Sequence, residues 1–86
     1  MTNKELKKIG EITHYFSDLE VAIIKFSKEM KVGDQIRVIG GEDTDFTQEI
    51  EGMEMDHEKV EKVKKGEQVG IKVKEKVREG YEVYSG

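Results

Sequence analysis

Between residues 68 and 73 the chain reads Gln-Val-Gly-Ile-Lys-Val, so that Val69, Ile71 and Val73 alternate with Gln68, Gly70 and Lys72. Side chains that return to the same side at every second position mark a half-buried strand, and this spacing does not suit a helix. The same period recurs where Ile36 and Val38 alternate with Gln35 and Arg37. Gly-containing turns punctuate the runs: Val32-Gly33-Asp34, Gly40-Gly41, Lys65-Gly66 and Arg78-Glu79-Gly80. A chain patterned in this way folds by pairing its strands.

Six strands are expected, over residues 9–16, 21–26, 35–39, 46–55, 67–73 and 81–84. Val21–Phe26 is apolar on both parities, as suits a strand covered on both sides. The long segment 46–55 changes phase: Phe46, Gln48 and Ile50 share one parity, Met53 and Met55 the other, with Gly52 between them. A Gly at such a point suits a β-bulge that bends the strand at a barrel corner. In residues 56–65, Val60 and Val63 fall at helical spacing, which leaves a short helical turn open against a loop. The expected core comprises Ile12, Ala22, Ile24, Phe26, Ile36, Val38, Ile50, Met53, Val69, Ile71, Val73 and Val83. The architecture this implies is all-β, a small closed six-stranded barrel over residues 9–86 behind a flexible tail at 1–8. Full closure would remove the exposed strand edges that make small sheets aggregate.

Eighty-six residues suffice for one domain, and the absence of Cys removes both disulfides and thiolate metal sites. Charged residues make up 40% of the chain, a composition common in hyperthermophile proteins. The net charge of −4 conceals a polarity. Residues 41–58 carry eight carboxylates and no Lys or Arg, whereas residues 59–78 are dominated by Lys. Overall acidity opposes avid non-specific nucleic-acid binding, while the basic side could still meet phosphate. The polar N-terminus lacks the pattern of a signal peptide, so a cytoplasmic protein without membrane contact is expected.

The turns carry a family likeness. Val32-Gly33-Asp34-Gln35-Ile36, Gly52-Met53-Glu54-Met55, Lys65-Gly66-Glu67-Gln68-Val69-Gly70 and Arg78-Glu79-Gly80-Tyr81-Glu82-Val83 resemble, in order, four motifs of the second domain of translational GTPases such as elongation factor Tu. Thr13-His14-Tyr15-Phe16 and Thr44-Asp45-Phe46-Thr47-Gln48 look like segments of stand-alone translation elongation factor-like proteins. Similar barrels also sit at the C-terminus of collagenase-like peptidases. In elongation factor Tu this domain holds the terminal adenosine of aminoacyl-tRNA. The resemblance carries that pocket onto Glu54, His57 and Lys72, of which only the glutamate keeps the family's residue type. A lysine in place of an apolar platform removes stacking worth about 1–3 kcal/mol per base.

Catalytic chemistry is hard to assemble from this sequence. No Gly-x-x-x-x-Gly-Lys-[Ser/Thr] loop occurs, so no GTP binding by the chain itself is expected. Ser17, Ser27 and Ser85 lie outside any recognisable nucleophile turn. Asp43-Thr44-Asp45 opens like a calcium loop, but Gln48 stands where the sharp turn needs Gly. His14 and His57 are too few and too far apart for a zinc set. Neither an enzyme nor a cofactor or metal is expected. Because adjacent strand residues alternate faces, His14, Tyr15 and Phe16 cannot all share one stacking platform without a bulge, which assigns at least one to the core.

The sequence therefore reads as a non-catalytic, translation-linked binding module contacting tRNA, rRNA or the ribosome. Its RNA-binding candidates are Lys62, Lys64, Lys65, Lys72, Lys74, Arg78, Glu54, His57 and Tyr15. The alternative is a protein-interaction module that docks on a separate enzyme or GTPase domain, which the acidic stretch favours. Convergence of the lysines on one patch favours RNA; their dispersal favours a protein partner.

Overall fold

The computed structural model describes residues 7–86, and those residues are all-β. The strands are β1 (Lys8–Phe16), β2 (Val21–Phe26), β3 (Met30–Lys31), β4 (Gln35–Gly40), β5 (Thr44–Glu49), β6 (Met53–Met55), β7 (Glu58–Val60), β8 (Lys62–Val63), β9 (Gln68–Lys72) and β10 (Glu82–Ser85). Eight form one sheet in the order β5-β4-β10-β1-β2-β9-β6-β7, while β3 and β8 pair separately. All the ladders are antiparallel. No helix among the described residues is long and apolar enough to cross a membrane. Of the tail expected at 1–8, residues 1–6 lie outside the described residues; Lys8 opens β1, and the Lys7 carbonyl accepts from the Ser85 N–H at 3.2 Å.

One core takes side chains from nearly every strand, and it includes every residue expected there. Ile12, Ile24 and Val69 form one cross-strand row, and Phe46, Val38 and Val83 form another. Burial of each such side chain contributes roughly 1.5–3 kcal/mol. Ile9, Met30, Phe46, Val63 and Val77 join the core beyond the alternation-based set.

Three expectations need correction. The segment 46–55 is two strands rather than one, because Ile50 leaves the ladder to bond the turn before β4 (Ile50 N–H to Asp34 O, 2.8 Å; Gly33 N–H to Ile50 O, 2.8 Å). Residues 56–65 hold neither a helical turn nor a plain loop. Asp56 and His57, with φ of 52° and 67°, make the paired left-handed turn that folds β6 back onto β7, and β8 then pairs with β3. Finally, the ladders do not close a barrel: β5 and β7 end the strand order without pairing with each other. A side chain spans part of the gap. Gln48 on β5 donates from Nε2 to the Lys72 carbonyl at 3.0 Å and accepts the Lys74 N–H on Oε1 at 3.0 Å.

Two surface contacts brace the sheet further. Arg37 on β4 donates from both Nε and an Nη to the two carboxylate oxygens of Asp45 on β5, each at 2.8 Å. Those hydrogen bonds hold the Asp45 carboxyl below its usual range. On β10, the Tyr84 hydroxyl donates to Glu82, and Lys8 lies 3.4 Å from the same carboxylate, which lowers the Glu82 carboxyl. The same hydrogen bond raises the Tyr84 phenol.

These contacts fix three outcomes. A Cβ on Gly40 would stand 2.2 Å from Cγ of Tyr81, so Gly40→Ala should cost about 1–3 kcal/mol in urea melts and become nearly silent in a Tyr81→Ala background. Gln48→Ala strips both hydrogen bonds across the gap and should cost about 1–2 kcal/mol by the same measurement. Asp45 and Glu82 are both depressed in the folded state, so their contribution is present above the ordinary carboxylate range and is lost as pH falls through their folded-state values. Thermal midpoints should therefore drop below about pH 4, and Arg37→Gln should flatten the drop. Tyr84, raised instead, loses its contribution as pH climbs through its folded-state value.

Candidate docking face

The outer side of β2 is apolar where solvent would favour polar residues: Val21 and Ile23 point away from the core, while Ala22 and Ile24 point into it. Register extends this stripe across the sheet. Phe16 lies opposite Val21 and His14 opposite Ile23; on the far side, Val21 faces Lys72 and Ile23 faces Gly70. Glu54 on β6 pairs with Gly70, and Lys59 on β7 pairs with Glu54. Gly70 leaves a trough in the middle, because a Cβ there would meet Val21 Cγ1 at 3.2 Å and Ile23 Cδ1 at 3.5 Å. The trough continues into a groove of about 490 Å³ with apolar walls from Val21, Val32 and Val60 and with Glu54 and Lys72 on its rim.

At one end of this face the β1–β2 hairpin presents two large apolar side chains to solvent. Phe16 is 44% exposed and Leu19 63%. The Leu19 N–H donates to the Phe16 carbonyl at 3.1 Å, and Glu20 takes φ of 60° to bring the chain round into β2. The His14 ring packs edge-on against Phe16, centroids 4.4 Å apart, and its Nδ1 lies 3.1 Å from Glu79 Oε2. Tyr15 turns the other way and packs against the core, as the alternation argument required of one member of the triplet.

The residues singled out from sequence are dispersed. Glu54 and Lys72 meet at the groove just described, and Lys72 shares a second one with Lys74. Tyr15 and Arg78 line a third, and Lys65 a fourth. Lys62 is paired with Glu29 at 3.4 Å. The Lys64 N–H is bonded to Glu67, and its side chain is exposed. His57 sits exposed in the β6–β7 turn. Lys72 and Lys74 do not continue one strand face, because β9 ends at Lys72 and the chain bends after it. Phe16, Leu19, Val21 and Ile23 are absent from the sequence-derived set. For Val21 and Ile23 the signal was the two-sided apolar pattern of residues 21–24; Phe16 and Leu19 carried none.

No family model matches the sequence. Over 77 residues it is 36% identical to an uncharacterized protease of Methanocaldococcus jannaschii, across 90% of this chain and 19% of that protein. It is likewise 36% identical over 77 residues to a collagenase of Porphyromonas gingivalis, across 88% of this chain and 21% of that one. The chain thus spans about a fifth of the length of these relatives. Among solved structures it matches the C-terminal domain of a Geobacillus thermoleovorans protein assigned to the U32 peptidases, with a TM-score of 0.86 and 21% identity, over 92% of this chain and 99% of that one. A second structure of that domain gives 0.85 at 21% identity, over 93% and 92%.

These matches overturn two expectations. The likeness to translation elongation factor-like proteins, and the RNA binding that came with it, gives way to relatives that are a protease and collagenases. The expectation that the chain is no enzyme is corrected by the same relatives, which point to an enzyme family of whose members the chain spans about a fifth. What the structural match establishes is the fold, which is that of a U32 peptidase C-terminal domain.

Proposed function

We propose that this chain is an accessory docking domain of a U32-type peptidase, seated on the peptidase body through the outer face of β1 and β2. The observation that carries this reading is the match over nearly the full length of a domain that follows a peptidase body in its own protein. The exposed apolar face supports it physically. Phe16 is an exposed aromatic of the kind enriched at interfaces, Leu19 adds apolar area beside it, and Glu54, Lys59 and Lys72 supply the polar rim typical of such surfaces. Dispersal of the lysines favours a protein partner over a polyanion. In this reading the curled sheet acts as a barrel whose seam is closed through Gln48, a rigid platform that holds the face in shape.

The test is association with a U32 peptidase body purified without a C-terminal domain of this fold, followed by calorimetry. Saturable one-to-one binding is expected, weakened about tenfold or more (roughly 1.4 kcal/mol) by Phe16→Ser with Leu19→Ser. Both side chains are exposed, so the double variant should keep its melting midpoint. Absence of binding at about 100 µM, far weaker than specific protein pairs of standard size, would sink the proposal.

A further inference from the structure

A second surface lies at the opposite end of the β1–β2 ladder, away from the hairpin tip. There the starts of β1 and the end of β2 meet the Lys65-Gly66 turn, which is fastened by the Gly66 N–H to the Phe26 carbonyl at 2.8 Å and the Phe26 N–H to the Glu67 carbonyl at 3.2 Å. Between them runs a groove of about 610 Å³, within the range of specific binding sites. Three lysines line it, Lys8, Lys25 and Lys65, against one carboxylate, Glu11. Lys8 is already engaged, 3.7 Å from Glu11 and 3.4 Å from Glu82. Lys25 and Lys65 have no carboxylate within ion-pairing distance among the described residues, although Glu11 sits directly opposite Lys25 in the ladder.

We infer that this groove binds an extended acidic segment of polypeptide, with Lys25 and Lys65 each taking a carboxylate. Two free cations in a chain of net charge −4 form a local positive site against an acidic background, which gives an acidic ligand an orientation as well as an attraction. Gly66 lines the groove with open space where a Cβ would stand, so a main chain can approach closely there, and Ser27 adds a hydroxyl. A nucleic acid fits less well. Single strands are held by a continuous cationic track and by ring faces for stacking, yet the one aromatic lining the groove, Phe26, is only 1% exposed. The site is distinct from the apolar face and does not depend on the peptidase reading.

The test uses the whole chain and a fluorescein-labelled peptide of alternating Glu and Gly, followed by anisotropy. Saturable binding that weakens with added salt is expected, and K25E/K65E should weaken it about tenfold or more. A matched pair, K31E/K76E, makes the same change in net charge at exposed positions elsewhere and should leave affinity within about twofold. The milder K25Q/K65Q serves if charge reversal impairs folding, with circular dichroism as the check. Three results would overturn the inference: no saturable binding, equal loss in both charge-reversed variants, or displacement of the peptide by polyphosphate at lower concentration than by unlabelled peptide. Failure here leaves the docking face untouched, since Phe16 and Leu19 take no part in the groove.

Discussion

The extra residue at Thr13 determines which side chains this protein shows to the outside. β1 lies in the middle of the eight-strand order and slips register twice, at Ile9 against β10 and at Thr13 against β2. In a regular strand Ile12, His14 and Phe16 would share a face, and all three would point into the core. The bulge reverses the phase, so Tyr15 turns inward and His14 and Phe16 turn outward. The Thr13 hydroxyl fixes the bulge by reaching Gln68 Oε1 at 2.9 Å. At the other slip Gly10 lets β2 approach, because a Cβ there would meet the Lys25 carbonyl oxygen at 3.0 Å. Bending at these two points gathers one core from a sheet whose ladders do not close.

That bulge also explains which parts of the structure were legible in the sequence. Period-two alternation found the core because Val69, Ile71 and Val73, like Ile36 and Val38, lie in segments without slips. The outward turn of His14 and Phe16 was illegible because it depends on a phase change that no Gly or Pro announces. The β6–β7 hairpin was missed for a related reason. Its turn uses Asp56 and His57 in the left-handed region, where Asn-Gly or Asp-Gly would have been the recognisable signal. Pairing of β3 with β8 joins residues far apart in the chain, and two-residue strands carry no periodicity to read. Of the expected site residues, Glu54 and Lys72 do meet, beside Gly70, but at an apolar trough rather than within a basic patch.

The misleading resemblance has a physical origin of its own. Three of its four motifs centre on glycines with positive φ: Gly33 at 100°, Gly66 at 87° and Gly80 at 91°. Such positions admit few residues other than Gly, and their neighbours are constrained by the strands they join. Short turn motifs therefore report how an antiparallel chain reverses direction. Agreement across nearly the whole length is a different kind of information, and here it leads to the fold of a U32 peptidase C-terminal domain.

The Gln48 bridge makes one flank of the molecule unlike the rest. Most neighbouring strands are held by rows of paired main-chain positions. Across this seam a single side-chain amide joins β5 to the chain beyond β9, and a rotation of that one residue releases both bonds. The domain is thus built like a split ring: opening along that one line should let the Lys74 amide exchange with solvent without global unfolding, while the opposite wall, built on β1 and β2, has the fuller ladder to hold it.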